Sequence, residues 1–258
     1  RTEAVESVEI RARVEGYLKG IHFTDGSLVE KDQLLFTIEP DAFITRRDEA
    51  AAMLATGRSE LERTKFDYER IKQAIQSGSV SQQDLTRAEA AYNTAAASVS
   101  AYEAMLHRAT LDLSYTEIRS PIRGRIGRRY VDIGNLVGAG DRTVLTTVVR
   151  TSPIYVSFYM SEHLLSGDLP AKMRGGKEVE PLQFQVGLPN EEKMTNSGIL
   201  NFVDNTVDPK TGTVYVRGEL PNDDETLLPG MFVRVQVPTQ VRKNAVLIPE
   251  MAIMTDHG

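Results

Sequence analysis

The sequence predicts a mixed α and β protein that is elongated and built of several domains. In it, a coiled-coil α-hairpin is inserted into a split β-domain, and a small antiparallel β-barrel follows. Three observations predict this. Two consecutive stretches within residues 40–113 carry apolar or small residues in the 3-4 heptad alternation. β-like sequence lies on both sides of them, in flanks that are each too short for a core of their own. From Pro153 onward, longer alternating strands are separated by strong turns.

The heptad residues predict how the two helices pair. If the chain reverses near residue 80, the residue numbers of two facing residues in the antiparallel pair must have a constant sum. For the facing residues of the two seams this sum is 159 or 160. Gly57 then lies opposite the bulky Tyr102. A helical pair inside a globular core is the alternative, but the polar outer faces do not fit it. The predicted seam comprises Leu54, Gly57, Leu61, Tyr68 and Ile71 in the first helix and Leu85, Tyr92, Val99, Tyr102 and Leu106 in the second.

The connection between the helices has turn and capping signals. Residues 76–80 form a turn in which Gly78 can take the left-handed conformation that ends a helix. Ser81 precedes the second helix, and Asp84 follows three residues later. This spacing predicts a capping box, with Asp in the usual place of Glu or Gln.

The β-like regions divide into short strands. In the split domain, strands are predicted at Val8–Val14, Leu34–Ile38, Leu113–Ile118, Arg125–Val131 and Val144–Val149. In the barrel, strands are predicted at Ile154–Met160, Leu182–Val186, Gly198–Val203, Thr213–Leu220 and Met231–Val237. A short helix is predicted near Glu162–Leu165, and turns are predicted at Asp208–Gly212 and Leu228–Gly230.

Four domains are therefore predicted. They are 10–39 plus 114–150 for the split β-domain, 40–113 for the hairpin, 151–240 for the barrel, and 1–9 plus 241–258 for an incomplete further domain. We expect Ala245–Ile253 to be poorly packed, because the strands that would cover it are lacking.

Composition narrows the function. The net charge of −6 argues against a nucleic-acid partner, and the absence of Cys excludes disulfides and thiolate sites. No apolar run approaches the roughly 20 residues of a membrane span. The first residue is Arg rather than Met, so we expect a leader or membrane anchor in a preceding segment.

No catalytic, cofactor-binding or metal-binding set is predicted. The four histidines, which are His22, His107, His163 and His257, lie in separate segments without a second ligand at coordinating spacing. Gly134–Gly140 is glycine-rich but precedes no helix, so we interpret it as hairpin turns. The methionines are interpreted as core residues, while a metal-binding role for them stays open; they include Met53, Met105, Met160 and Met231.

Several strings together resemble a known family. They are Gly16 with Gly26–Val29; Leu111–Ile118 with Ser120, Pro121 and Gly124; Pro153–Phe158 with Glu162; and Thr211–Thr213, Arg217 and Leu228–Met231. In this order they resemble the periplasmic adaptor proteins, or membrane fusion proteins, of tripartite efflux pumps. The barrel strings look most like adaptors of RND transporters, and the resemblance covers nearly the whole chain.

The resemblance implies a non-enzymatic connector. Such an adaptor lies in the periplasm of a Gram-negative bacterium, is attached to the inner membrane through an anchor, and forms a homo-oligomer, expected to be a ring. Its partners are an inner-membrane RND transporter and an outer-membrane channel, and its cargo is drugs or other solutes. An adaptor of an ABC or MFS exporter is the same-class alternative.

The resemblance also implies docking residues at the hairpin tip. Family members place an Arg, a Leu four residues later and a Ser eleven residues later where the hairpin meets the channel. Here Arg70 and Ser81 match, whereas Ala74, with Ile75 beside it, stands at the Leu position. The alternative is that Ser81 only caps a helix and Arg70 only pairs with a carboxylate.

The split β-domain resembles the lipoyl/biotinyl carrier fold. The modified lysine of that fold lies in the turn between the two half-motifs, where this chain has the whole hairpin. Lys31 lies in another turn and is interpreted as a surface residue, and Asp32 stands where the half-motif usually has Gly. A carrier domain of an enzyme complex is the rival hypothesis from another class, and the missing lysine hairpin counts against it. A free-standing coiled-coil tether is a third hypothesis.

Overall fold

The computed structural model describes residues 1–76, 79–139, 143–165, 182–189, 194 and 196–238. These residues form two compact units, Ser7–Val149 and Arg1–Glu6 with the described residues from Arg150 onward. The elements in chain order are β1 (Thr2–Arg11), β2 (Gly16–Ile21), β3 (Leu28–Val29), β4 (Leu34–Ile38), α1 (Asp41–Gln76), α2 (Gln82–Ser114), β5 (Glu117–Arg119), β6 (Gly124–Ile126), β7 (Leu136–Val137), β8 (Val144–Ser161), a 3-10 helix (Glu162–Leu165), β9 (Gln183–Gly187), β10 (Asn196–Val203), β11 (Thr213–Leu220) and β12 (Arg234–Gln236).

Helices α1 and α2 form the hairpin that the heptads predict. At about 1.5 Å per residue, the 36 residues of α1 extend for about 54 Å. The tyrosines of one predicted pair, Tyr68 and Tyr92, stack with ring centroids 5.8 Å apart. On one flank of the seam, Arg58 pairs with Glu103 of the other helix (2.9 Å). Among the described helices, none combines the length and the apolarity that crossing a bilayer requires.

Gly57 makes room for the side chain of Tyr102 in the seam. It is buried, and a Cβ added to it would lie 2.6 Å from Cδ2 of Tyr102 and 3.6 Å from Cγ2 of Val99. This contact agrees with the pairing that the summed residue numbers predict. A small residue is needed here because the tyrosine ring occupies the space next to the α1 backbone.

Gly57→Leu is expected to destabilise the hairpin by roughly 1–3 kcal/mol, since the added atoms overpack the seam. Thermal unfolding monitored by the helical circular dichroism signal would measure the loss. Ala51→Leu is the matched control, because Ala51 is exposed on the same helix. An unchanged or raised melting temperature for Gly57→Leu would contradict the seam packing.

The β part of the first unit has one core between two ladders. One sheet has the strand order β5-β4-β2-β7, and the other ladder runs from β3 through β6 to the start of β8. Buried side chains between them include Leu18, Leu35, Phe36, Ile126 and Leu145. The chain thus returns to the same core after the hairpin, as the split-domain interpretation requires.

Several strand predictions are wrong in extent. The strand predicted over Val8–Val14 spans Thr2–Arg11, and the strands predicted separately over Val144–Val149 and Ile154–Met160 are one continuous strand, Val144–Ser161. Helix α2 continues through Leu113 to Ser114, and Tyr115 caps it, so the strand predicted from Leu113 begins only at Glu117. The strand predicted over Arg125–Val131 ends at Ile126. Beyond it, the amides of Gly127 and Tyr130 still donate to the carbonyls of Thr147 (2.7 Å) and Leu145 (2.9 Å), but no regular ladder connects them.

Asp32 occupies the position where a glycine was expected. Its φ of 64° lies in the left-handed region, and its amide donates to the carbonyl of the distant Ser120 (2.8 Å), which joins this turn to the segment after β5. Asp is one of the few residues besides Gly that tolerate this conformation.

The second unit is a curled antiparallel sheet. Its central strands follow the order β12-β9-β10-β11-β8, and their inward side chains enclose a core that includes Ile154, Phe184 and Val216. Thr2 connects the first residues of the chain to the loop before β12: its amide donates to the Met231 carbonyl (3.0 Å), and its carbonyl accepts from Gly230 (2.8 Å).

One barrel strand is shorter than predicted. The prediction began it at Met231, whereas β12 spans only Arg234–Gln236, because Gly230 and Met231 bond to Thr2 instead of to β9. The turn at Asp208–Gly212 is present, with Gly212 at φ 62° and its amide bonded to the Asp208 carbonyl (2.8 Å). Ala245–Ile253 lies outside the described residues, and the four domain boundaries stay predictions.

Candidate docking tip of the helical hairpin

The tip is the end of the hairpin farthest from the β part of its unit. Helix α1 ends at Gln76 and α2 begins at Gln82, while Gly78, the predicted turn residue, lies outside the described residues. The Ser79 amide donates to the Ala74 carbonyl (3.3 Å), which continues the hydrogen bonding of α1 into the turn.

Arg70 projects from α1 into solvent, with 77% of its side chain exposed. Its Nη2 donates to Oδ1 of Asp67 (2.8 Å), and Asp67 also accepts from Arg63 (3.2 Å). Ion pairs at such exposed positions contribute little to stability, typically up to about 1 kcal/mol. The guanidinium can therefore exchange this intrahelical partner for an acceptor on another protein at small cost.

Ser81 holds the start of α2. Its hydroxyl accepts from the Asp84 amide (3.2 Å), and Oδ2 of Asp84 accepts from the Ser81 hydroxyl (2.6 Å) and amide (3.3 Å). These hydrogen bonds, chiefly the one from the hydroxyl, lower the pKa of Asp84. The capping box predicted from sequence is thus present.

The apolar part of the tip is small. Ala74 and Ile75 are both half-buried, and so is Leu85 at the facing end of α2. The four predicted docking positions, namely Arg70, Ala74, Ile75 and Ser81, occupy the last two turns of α1 and the start of α2. These four positions thus offer the exposed guanidinium of Arg70, the hydroxyl of Ser81 and a limited apolar surface, and Arg87 at the start of α2 adds a second guanidinium that is 73% exposed.

Sequence reasoning missed a second exposed surface, on the outer side of β8, β10 and β11. Tyr159 is 70% exposed there, and the guanidinium of Arg217 lies over the rings of Tyr155 (4.2 Å) and Phe202 (5.2 Å). The signal was available in the sequence, because both alternating faces of β8 carry large apolar side chains.

Two family models match the chain. One, described as the barrel-sandwich hybrid domain of RND MFPs, matches residues 6–149, which is more than half of the chain. The other, described as the β-barrel domain of RND MFPs, matches residues 153–241. The chain belongs to the RND membrane fusion proteins. These proteins are adaptors and not enzymes.

A curated relative has a similar sequence along almost the whole chain. Multidrug resistance protein MdtA of Pantoea ananatis (strain AJ13355) is 33% identical over 250 residues, which are 97% of this chain and 60% of that protein. This chain thus spans about three fifths of the length of the curated relatives that it matches.

Solved membrane fusion proteins have a similar fold. A MacA–MexA chimeric protein with the α-hairpin domain of Pseudomonas aeruginosa MexA has a TM-score of 0.61 at 22% identity, over 92% of this chain and 78% of that one. The membrane fusion protein Spr0693 of Streptococcus pneumoniae R6 has a TM-score of 0.64 at 14% identity, over 92% and 99%. At these identities, the likeness concerns the fold.

The carrier hypothesis is not favoured for this RND membrane fusion protein. Lys31 is exposed in a turn closed by the Gln33 amide, which donates to the Glu30 carbonyl (3.2 Å). Within the described residues, no three His, Asp or Glu side chains are grouped as a metal site would require. His257 lies outside those residues.

The interpretation of all the methionines as core residues is wrong for two of them. Met53 and Met105 are 52% and 53% exposed. Each precedes a seam leucine by one residue, and a seam between only two helices leaves that flank open to solvent. Met160 is buried in the barrel, and Met231 is half-buried with its sulfur accepting from the Leu228 amide.

Proposed function

We propose that this chain is part of a non-enzymatic periplasmic adaptor that connects an inner-membrane RND transporter to an outer-membrane channel for the efflux of drugs or other solutes. The observation that carries the proposal is that both β regions match models of RND membrane fusion domains. These RND models favour this transporter class over ABC and MFS exporters. The relative named for multidrug resistance supports drugs as one cargo.

The hairpin suits a connecting role. Its two helices are long, their surface is polar, and their shared seam lets a protruding element stay ordered without a surrounding domain. The tip carries groups for a polar contact with a partner. The function of a connector depends on its length and on a tip that binds a specific partner, rather than on a ligand-binding pocket.

The further parts of the proposal concern location and assembly. We place the protein in the periplasm of a Gram-negative bacterium, attached to the inner membrane through an anchor. Several copies assemble into a ring, so that the hairpins surround a conduit. The barrel unit binds the transporter, and the hairpin tip binds the outer-membrane channel.

We assign the channel contact to Arg70, Ala74, Ile75 and Ser81. Arg70 supplies a charge-assisted hydrogen bond. The interface is small, so few other contacts can compensate if this hydrogen bond is lost. Ala74 and Ile75 supply the apolar contact. Ser81 acts indirectly as well, because its capping box fixes where α2 begins.

Arg70→Asp combined with Ser81→Ala is expected to leave the protein folded but to abolish drug or solute resistance in cells. The charge reversal lies on an exposed helix face, where stability changes by less than about 0.5 kcal/mol, and the lost cap costs about 1 kcal/mol. Growth of cells in the presence of the exported compound measures resistance, and thermal melting of the purified protein measures its stability.

Arg63→Asp is the matched control. Arg63 is also exposed and also pairs with Asp67, but it lies two turns farther from the tip. Resistance should survive this substitution. Full resistance with the double substitution at the tip would overturn the docking assignment and leave Ser81 as a helix cap only.

A further inference from the structure

A cleft of about 460 Å³ opens between β1 and β5 in the β part of the first unit. β5 is the last strand of the sheet β5-β4-β2-β7, and β1 pairs with β8 at the end of the other ladder. In the part of the chain that the structure describes, no strand pairs with β5 on the side opposite β4. An unpaired strand edge is a template to which a further strand can be added.

The backbone of β5 offers hydrogen bonds on its open side. The Thr116 carbonyl accepts from β4 (2.8 Å), and the Ser120 amide donates to the residue that precedes β4 (2.9 Å), so both of these residues face β4. In an antiparallel pair, the backbone groups of successive residues point to alternate sides of the strand. The amides and carbonyls of Glu117 and Arg119 therefore point away from β4, where an added strand can pair with them.

The side chains of the cleft divide into an apolar floor and a charged rim. The floor is formed by Ile10, Ala12 and Ile118, which belong to the core of the unit. The rim carries three arginines and two glutamates, which are Arg11, Arg13, Arg119, Glu9 and Glu117. Because side chains alternate between the two faces of a strand, an added strand places every second side chain on the floor and the others at the rim.

The rim is positive although the chain as a whole is acidic. Three arginines and two glutamates give the rim a formal charge of +1, whereas the whole chain carries −6. Each glutamate pairs with an arginine of its own strand, at 2.6 Å in β1 and 2.8 Å in β5. Arg13 forms no ion pair with a described residue, and its guanidinium lies 5.2 Å from the ring centroid of Tyr115. This guanidinium is available to an acidic partner.

Two other occupants fit the cleft less well. A compact anion would use Arg13 but would leave the edge of β5 unpaired. A second copy of this chain, with the same cleft set against this one, would bring two positive rims together, which is repulsive. An extended peptide uses both features, since its backbone pairs with the strand edge and its alternate side chains reach the floor and the rim.

We propose that this cleft binds an extended peptide segment in which apolar and acidic residues alternate, by addition of a strand to β5. The apolar side chains lie on the floor beside Ile118, and the acidic side chains pair with Arg13. The site belongs to the β part of the first unit and not to the hairpin tip. It goes beyond the proposed adaptor function and does not depend on it.

Fluorescence anisotropy with a labelled hexapeptide tests the site on the full-length protein. In this peptide valine alternates with glutamate, and both ends are blocked. We expect it to bind saturably. In one control peptide lysine replaces glutamate, and in another the same residues are ordered so that the three valines are consecutive; both are expected to bind at least several-fold more weakly. Equal binding of either control, or no binding of the alternating peptide, would overturn the proposal.

Arg13→Glu is expected to weaken binding of the alternating peptide several-fold, because it places a like charge where the acidic side chains lie. Arg129→Glu is the matched control, since Arg129 is an exposed arginine of the same unit that does not line the cleft. This control should bind the peptide as the unsubstituted protein does. Equal affinities of the two variants would show that the rim does not select acidic segments.

Arg119→Pro tests the strand edge, because proline removes the outward N–H and is tolerated in an edge strand. Arg119→Gln removes the same charge but keeps the N–H. We expect Arg119→Pro to bind at least ten-fold more weakly than Arg119→Gln. Two peptides, N-methylated either on the valines or on the glutamates, probe the same hydrogen bonds from the peptide side without altering the protein, and we expect only one of them to bind. Undiminished binding of both peptides would exclude strand addition.

Two further measurements test the other occupants. We expect that inorganic phosphate at the peptide's concentration does not displace the peptide, and that Arg13→Glu does not change the oligomeric state in sedimentation. Displacement by phosphate would assign the cleft to a compact anion, and an oligomer that Arg13→Glu dissociates would assign it to a second copy; either result would overturn the proposal. These assays involve no efflux, so their failure leaves the proposed adaptor function standing.

Discussion

Gly218→Ala is expected to destabilise the barrel unit by about 3 kcal/mol, near the upper end of the usual cost of overpacking. A Cβ added to Gly218 would lie 2.2 Å from Cε1 of Phe184. The Phe184 ring is fully buried. It cannot shift away from Gly218, because Gly198 on β10 also lies against it. A Cβ added to Gly198 would lie 2.6 Å from the same ring atom.

Hydrogen exchange of the β9, β10 and β11 amides measures this loss without requiring the whole chain to unfold in one step. The double variant Gly218→Ala with Phe184→Leu is the control, since the shorter side chain relieves the clash and should recover part of the protection. Unchanged exchange in Gly218→Ala would contradict the packing of Phe184 against the two glycines.

Asn222→Ala is expected to cost at least about 3 kcal/mol. The buried Asn222 amide donates to the carbonyls of Thr151 (2.8 Å) and Leu227 (2.9 Å), and its oxygen accepts from the Leu227 amide (3.1 Å). Truncation leaves three backbone groups without a partner, at about 1–3 kcal/mol for each buried group.

The same exchange measurement on the barrel strands tests this expectation. Asn201→Ala is the matched control, because Asn201 is exposed and its hydrogen bonds to Glu219 and Arg217 (3.3 Å each) are replaceable by water. Equal effects of the two substitutions would show that Asn222 does not hold this loop in place.

The hairpin was the part of the fold most open to prediction. Heptad spacing sets which residues of α1 and α2 meet, so the sequence alone placed Gly57 against Tyr102 and Tyr68 against Tyr92. A helical pair depends on contacts a few residues apart along each helix, and the sum of the residue numbers then fixes the register.

Strand ends were less predictable, because their hydrogen bonds depend on distant residues. The sequence near Met231 has the pattern of a strand. In the structure, however, the backbone groups of Gly230 and Met231 form hydrogen bonds with Thr2, and β12 begins only after them. Apolar character alone also misplaced Met53 and Met105, since residues beside a two-helix seam remain accessible. Neither outcome is visible within a short sequence window.

The tip was predictable in its local structure but not in its role. The spacing of Ser81 and Asp84 predicts the cap, which follows from the backbone amides at a helix start. The partner that Arg70 binds depends on the surface of another protein, and the sequence of this chain does not describe that surface. The docking role of Arg70, Ala74, Ile75 and Ser81 therefore stays a prediction.

Site-specific photo-cross-linking in cells tests the central claim most directly. A photoreactive amino acid is placed at Ala74 in the tip and, as control, at Thr45, which is exposed near the base of α1. The adaptor account predicts that Ala74 captures an outer-membrane channel protein and that Thr45 does not. Equal capture of that channel from both positions, or none from Ala74 in cells that resist the drug, would contradict it.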